Sequence, residues 1–120
     1  MSSLNLACIV NHDPFSRATL HTRLASAGIA TLAVTEIGAA INAIKRTSVD
    51  LAMVNMVTVP IGRIRMVFPD LWIVATSSGH QRYLELAPEL GANDTFVWPY
   101  LAKHLDQILT RLRSRNGNLG

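Results

Sequence analysis

The residues able to do chemistry stand at the ends of four apolar runs. Ala7-Cys8-Ile9-Val10 leads into Asn11-His12-Asp13, and Leu51-Ala52-Met53-Val54 ends on Asn55. Trp72-Ile73-Val74-Ala75 leads into Thr76-Ser77-Ser78, and Thr95-Phe96-Val97 stops at Trp98-Pro99. In an open parallel sheet the carboxyl ends of the strands converge on one crevice, where ligands and chemistry sit. This crevice would hold amides, hydroxyls, an imidazole and a carboxylate. A serine or threonine nucleophile needs a base at a suitable angle, and the sequence places neither His12 nor His80 there. His12 as a metal ligand calls for a second histidine, a cysteine or a glutamate nearby; without one, a hydrogen-bonded histidine is the preferred reading. Thr76-Ser77-Ser78-Gly79 has the hydroxyls and amides to hold an anion, although such residues before a helix are ordinary turn and cap chemistry. Asn55 suits the capping of the loop that follows it. No convergent acid–base pair is present, so the expectation is a protein that is not an enzyme and holds no metal or cofactor.

Five short apolar runs alternate with five amphipathic stretches. That pattern predicts a three-layer α/β domain in which a doubly wound, five-stranded parallel sheet is covered by helices on both faces. Asp13-Pro14 reads as an N-cap followed by proline at the first helical position. The first helix continues to Ala27, closed by Gly28, with Leu20, Leu24 and Ala27 on one face. A strand over 31–34 follows. Thr35 is the expected cap of a second helix carrying Ile37, Ala40, Ile41 and Ile44 at helical spacing. Residues 49–54 are apolar enough for a central strand buried on both faces.

The next crossover is short. Pro60, Gly62 and Pro69 leave at most Ile61 to Phe68 helical, roughly 12 Å of rise against about 17 Å for a five-residue strand. The third helix should therefore be stunted or irregular. The sheet beneath it should be less well covered, exposing side chains such as Met66 and Val67. Residues 71–75 and 94–98 form the last two strands, around a helix over 81–90 that contains Pro88 and ends at Gly91. The last helix begins near Tyr100 and buries Leu101, Leu105, Ile108, Leu109 and Leu112. The domain spans 1–115, and 116–120 reads as a polar tail or the start of a linker.

With 120 residues, 49% of them hydrophobic and 16% charged, the chain has one compact core and no disordered composition. No apolar stretch has membrane-spanning length, and the cytoplasm is the expected location. Cys8 has no partner cysteine and reads as a small buried hydrophobe. The net charge of +3 reflects 8 acids against 11 bases. Arg111, Arg113 and Arg115 cluster near the last helix's end, where cations suit the helix dipole; nucleic-acid binding is not expected of this domain.

In the alternating order of its elements and in its strand ends the whole chain resembles the receiver domain of two-component response regulators. The residues that carry the likeness are 9–17, 49–55, 68–76 and 90–100, in that order. It implies a CheY-like, flavodoxin-like fold with strand order 2-1-3-4-5 and a site for phosphoryl transfer. At that site the family's magnesium-binding acids are replaced by Asn11 and His12, with Asp13 one place further on. The phosphoacceptor position is Asn55, Thr76 keeps the hydroxyl after strand four, and Trp98 replaces the lysine. The aromatic switch position is Thr95. The resemblance also allows for a cis Trp98-Pro99 bond, with Trp98 filling the vacated pocket.

An amide oxygen is neutral and its lone pairs are delocalised, so Asn55 cannot form a stable acyl phosphate, and no adjacent anions remain for magnesium. The expectation is a non-phosphorylatable pseudo-receiver that regulates by protein contact in bacterial signalling. Its partner is another protein or a second copy of the chain. The implied contact face is the helix-four, strand-five and helix-five side, with His80, Arg82, Tyr83, Thr95, Lys103, His104, Gln107 and Arg111. The alternatives are a sensor using the degenerate crevice as a small-ligand pocket, or the N-terminal regulatory domain of a larger transcription regulator or ATPase.

Overall fold

Strand side chains alternate between the two faces of a sheet, and here both sets are apolar, so the strands demand helices on both sides. The computed structural model describes residues 4–77 and 81–119, the side chains of 81–83 and 116–119 excepted. Its elements are β1 (Leu6–Val10), α1 (Pro14–Ser26), β2 (Ala30–Val34), α2 (Ile37–Arg46), β3 (Leu51–Asn55), α3 (Ile61–Val67), β4 (Trp72–Ser77), α4 (Gln81–Leu90), β5 (Asp94–Val97) and α5 (Ala102–Leu119). The strands are parallel in the order β2-β1-β3-β4-β5, as expected. On one face Ile9, Met53, Val74 and Phe96 pack under Leu20 and Leu24 of α1 and Leu105, Ile108, Leu109 and Leu112 of α5. On the other, Cys8, Val10, Ala52, Val54, Ile73 and Ala75 lie under Ala40 and Ile44 of α2, Ile61 and Ile64 of α3, and Ala87 of α4. Burial pushes the Cys8 thiol up to about 12, which leaves it protonated and inert at neutral pH. No helix among the described residues is long and apolar enough to cross a membrane.

Several local expectations change. Glu36, not Thr35, caps α2, its carboxylate accepting from the Gly38 and Ala39 amides; the longer side chain reaches from the adjacent position. Strand β3 begins at Leu51 because Val49 is held in a turn to Thr47 and the Asp50 carboxylate is spent on the amides of Asn5 and Leu6. Helix α5 starts at Ala102, since Tyr100 has φ 59°, a left-handed conformation that no helix continues. Leu101 thus stays outside the helix and is 39% exposed rather than buried. At its far end α5 runs on to Leu119, across residues read as a polar tail.

The third helix has seven residues, short as the chain arithmetic requires, and Met66 and Val67 are exposed. The sheet below it nonetheless remains fully covered, because Met56, Val59, Ile61 and Ile64 turn inward from the crossover. What replaces the missing helical turn is Arg65. Its Nη1 donates to the carbonyls of Phe68, Pro69 and Leu71, at 3.1, 3.0 and 2.7 Å. Its Nε and Nη2 donate to Gly91 O, and Nη2 also to Asn93 Oδ1, which in turn accepts from the Ile73 amide. One guanidinium thus satisfies the orphan carbonyls after α3 and ties them to the α4–β5 turn. Gly91 must be glycine here on two counts: its φ is +110°, and a Cβ would stand 2.9 Å from Arg65 Cγ.

Arg65→Met keeps the aliphatic stem and removes every donor. Unpaired carbonyls of this kind each cost on the order of 1–3 kcal/mol, so urea unfolding should show a loss of about 3 kcal/mol. A change below about 0.5 kcal/mol would show that Arg65 does not hold this end of the sheet.

Candidate functional site

Register sets what meets at the carboxyl edge. Val10 pairs with Val54, and Asn55 with Thr76, so Asn11, Asn55 and Thr76 follow the strand alternation onto the face shared by α1 and α5. Asn11 is buried, and its Oδ1 accepts from the Asp13 amide at 2.9 Å and from Asn55 Nδ2 at 3.4 Å. Asn55 Oδ1 accepts from the Val57 amide at 3.1 Å, which is the loop-capping role read from the sequence. The Asn11 carbonyl accepts from Arg17 Nη1 at 2.9 Å. Both amide oxygens facing the crevice are therefore already engaged by protein donors.

Asp13 does not join them. Its carboxylate turns to the start of α1 and accepts from the amides of Phe15 and Ser16. Slight desolvation pushes its titration up, but the hydrogen bonds from Phe15 and Ser16 and the field of His12 outweigh that, and the carboxyl ends below its ordinary 3.8. His12 is exposed at the rim, its Nδ1 3.4 Å from Thr58 Oγ1. Magnesium needs hard oxygen ligands in octahedral array. With one carboxylate turned to a helix cap and only two neutral amide oxygens beside it, the donor set lacks the anionic charge that ion requires and does not fit it. Among the described residues no three His, Cys, Asp or Glu side chains converge as metal ligands.

The aromatic side of the site differs from expectation. Trp98 does not fill the vacated pocket; it is 37% exposed and leans on Phe15 with ring centroids 5.7 Å apart. The buried aromatic is Tyr100, packed on Phe96 at 5.1 Å and meeting Trp98 edge-on at 5.4 Å. The Trp98-Pro99 bond is cis. Burial raises the Tyr100 phenol above its ordinary 10.0, partly countered by the hydroxyls of Ser16 and Thr76. Thr76 Oγ1 itself is buried without a hydrogen bond of regular geometry, so its effect on the phenol is that of a nearby dipole. Arg23 Nε donates to the Tyr100 carbonyl at 2.7 Å, pinning the turn to α1. Tyr100 had one sequence signal, its place directly after Trp98-Pro99; its backbone conformation had none.

On the expected contact face, Thr95, His104, Gln107 and Arg111 line a groove of about 400 Å³ between β5 and α5, with Trp98 and Leu101 also in its wall. Lys103 is exposed on α5. Arg111 is not free for a partner. It forms a two-pronged ion pair with Asp94, Nε–Oδ2 2.6 Å and Nη2–Oδ1 3.0 Å, which raises the guanidinium further. His80 lies outside the described residues, as do the side chains of Arg82 and Tyr83.

No protein-family model matches the chain, and no curated protein matches it. Response regulators and their receiver domains are among the structural neighbours. A CheY-like receiver domain protein from Methanospirillum hungatei superposes with TM-score 0.80 at 14% identity, over 97% of this chain and 99% of that one. A response regulator from Thermotoga maritima gives 0.79 at 18% identity, over 93% and 99%. HP1043, an orphan response regulator of H. pylori, gives 0.72 at 16% identity, over 90% and 96%. At such identities the shared property is the fold.

The Asp13 cap has a pH signature. Its folded value lies below 3.8, so its stabilisation is complete above that pH and is lost as pH falls through the folded value. Melting temperatures should show Asp13→Ala less stable than the wild type at neutral pH, the two converging in strong acid. A gap that persists unchanged in acid would mean the carboxylate is not the cap.

Proposed function

We propose that the chain is a receiver-like regulatory module of bacterial signal transduction that acts through protein contact and accepts no phosphoryl group. One observation carries this reading. It is the Asn11–Asn55 contact: two neutral amides, each oxygen accepting from a protein donor, at the positions to which the resemblance assigns a nucleophilic carboxylate and a metal-holding acid. Trp98 adds a ring with one indole donor, turned toward Phe15, in place of a mobile cation. An input that does not distinguish two states cannot shift them, so the contact face stays in one state. The β5–α5 groove supports the choice of face, since it offers partly apolar walls beside exposed polar side chains.

Acetyl phosphate, or beryllium fluoride with magnesium, should leave the intact mass and the amide spectrum unchanged. Asn55→Asp alone should not restore a response, because Asn11 and Trp98 remain. Saturable, magnesium-dependent shifts centred on Asn55 would contradict the reading.

The face has its own test. Lys103→Glu with His104→Glu should abolish retention of a cellular partner by the immobilised chain, while changing stability by under about 0.5 kcal/mol. Undiminished retention would place the contact elsewhere. Arg111→Glu is unsuitable, because it sets two carboxylates against each other at Asp94.

A further inference from the structure

The α3–α4 side carries an apolar strip that the rest of the fold leaves uncovered. A Cβ at Gly62 would lie 3.9 Å from the Leu90 carbonyl, so α3 rests against the last turn of α4. One turn beyond Gly62 on the same side of α3 is Met66, 84% exposed; on α4, Leu86 and Leu90, also one turn apart, are 50% and 45% exposed. A cluster of large apolar side chains at a surface marks a contact.

Among the described residues, the side chains of Arg63, Glu85 and Glu89 beside the strip have no hydrogen-bond or ion-pair partner. Arg17, Arg23, Arg65, Arg111 and Arg115 all bond to carbonyl or carboxylate oxygens of their own fold. Arg63 on α3 and Glu85 and Glu89 on α4 are exposed, and the ion pair among the described residues is Arg111–Asp94 instead. Among the described side chains the strip thus has a free base on α3, two acids on the later turns of α4 and apolar residues between.

We infer that this strip is a two-fold interface between two copies of the chain, separate from the β5–α5 groove. A two-fold axis through it sets α3 of each copy against α4 of the other. Arg63 then meets glutamates twice, and Met66 packs on leucines twice. A partner of single charge sign would meet its own sign on one helix, whereas a second copy is complementary to both. The composition agrees, with 16% charged residues against about 25% in ordinary soluble domains.

Sedimentation velocity on the full chain, across a wide dilution series at low and high salt, tests this. The wild type should be a dimer when concentrated, dissociating on dilution and more readily in salt. Met66→Glu and Leu90→Glu should be monomeric throughout with unchanged circular dichroism. Met66→Ser, at so exposed a position, keeps the test valid should either charged variant unfold, and should also weaken the dimer. Arg63→Glu should weaken the dimer about tenfold or more, and adding Glu85→Arg and Glu89→Arg should restore it. A wild type that is monomeric at every concentration overturns the inference, as does a dimer indifferent to Met66→Ser and Leu90→Glu. Neither result bears on phosphoryl transfer, which the beryllium fluoride experiment decides alone.

Discussion

Two carboxamides meet where β1 and β3 end, and the electrostatics of that meeting shape the rest of the crevice. Two carboxylates about 4 Å apart repel by about 4 kcal/mol at an effective dielectric of 20, an energy that a bound cation must offset. Asn11 and Asn55 remove the repulsion and the requirement for a cation together. The hydrogen bond between them is long, 3.4 Å, and contributes little by itself. Its importance lies in neutrality: the amides close on each other and on neighbouring backbone amides, and neither carries a charge for an ion to balance.

The aromatic cluster follows from the same change. Trp98 packs on Phe15 and Tyr100 rather than reaching over the crevice. Tyr100 sits in a left-handed conformation that costs roughly 1–2 kcal/mol. It is held by its own buried ring, by Arg23 on its carbonyl and by the hydrogen bond its amide donates to the Val97 carbonyl. These contacts link α1, β5 and the start of α5 across the α1–α5 layer. A crevice edged on that side by packed aromatic rings carries no lysine there, which is why the proposed regulation is placed on the surfaces.

Those parts of the fold governed by local pattern were legible in the sequence. The strands are apolar runs bounded by breakers, the α1 start is an aspartate before a proline, and the short α3 follows from counting residues between Pro60 and Pro69. The parts that escaped depend on partners without a sequence signature. Arg65 acts on carbonyls, which every residue has, and nothing in its neighbourhood distinguishes it from an exposed arginine. The Arg111–Asp94 pair spans two elements whose facing is fixed only by packing, and it withdraws from the expected contact face a residue that the family resemblance assigned there. Trp98 was expected to fill the vacated space and does not, because the direction of a side chain after a cis-proline turn is a tertiary property.

Neutrality at Asn11 and Asn55 is the claim on which the account stands, and manganese tests it most directly. Mn²⁺ takes the oxygen ligands that suit magnesium, and as a paramagnet it broadens nearby NMR signals. On titration with Mn²⁺, the side-chain amide resonances of Asn11 and Asn55 should keep their widths to the same degree as amides in the core of β3. Selective, saturable broadening of those two side chains, reversed by excess magnesium, would contradict the account.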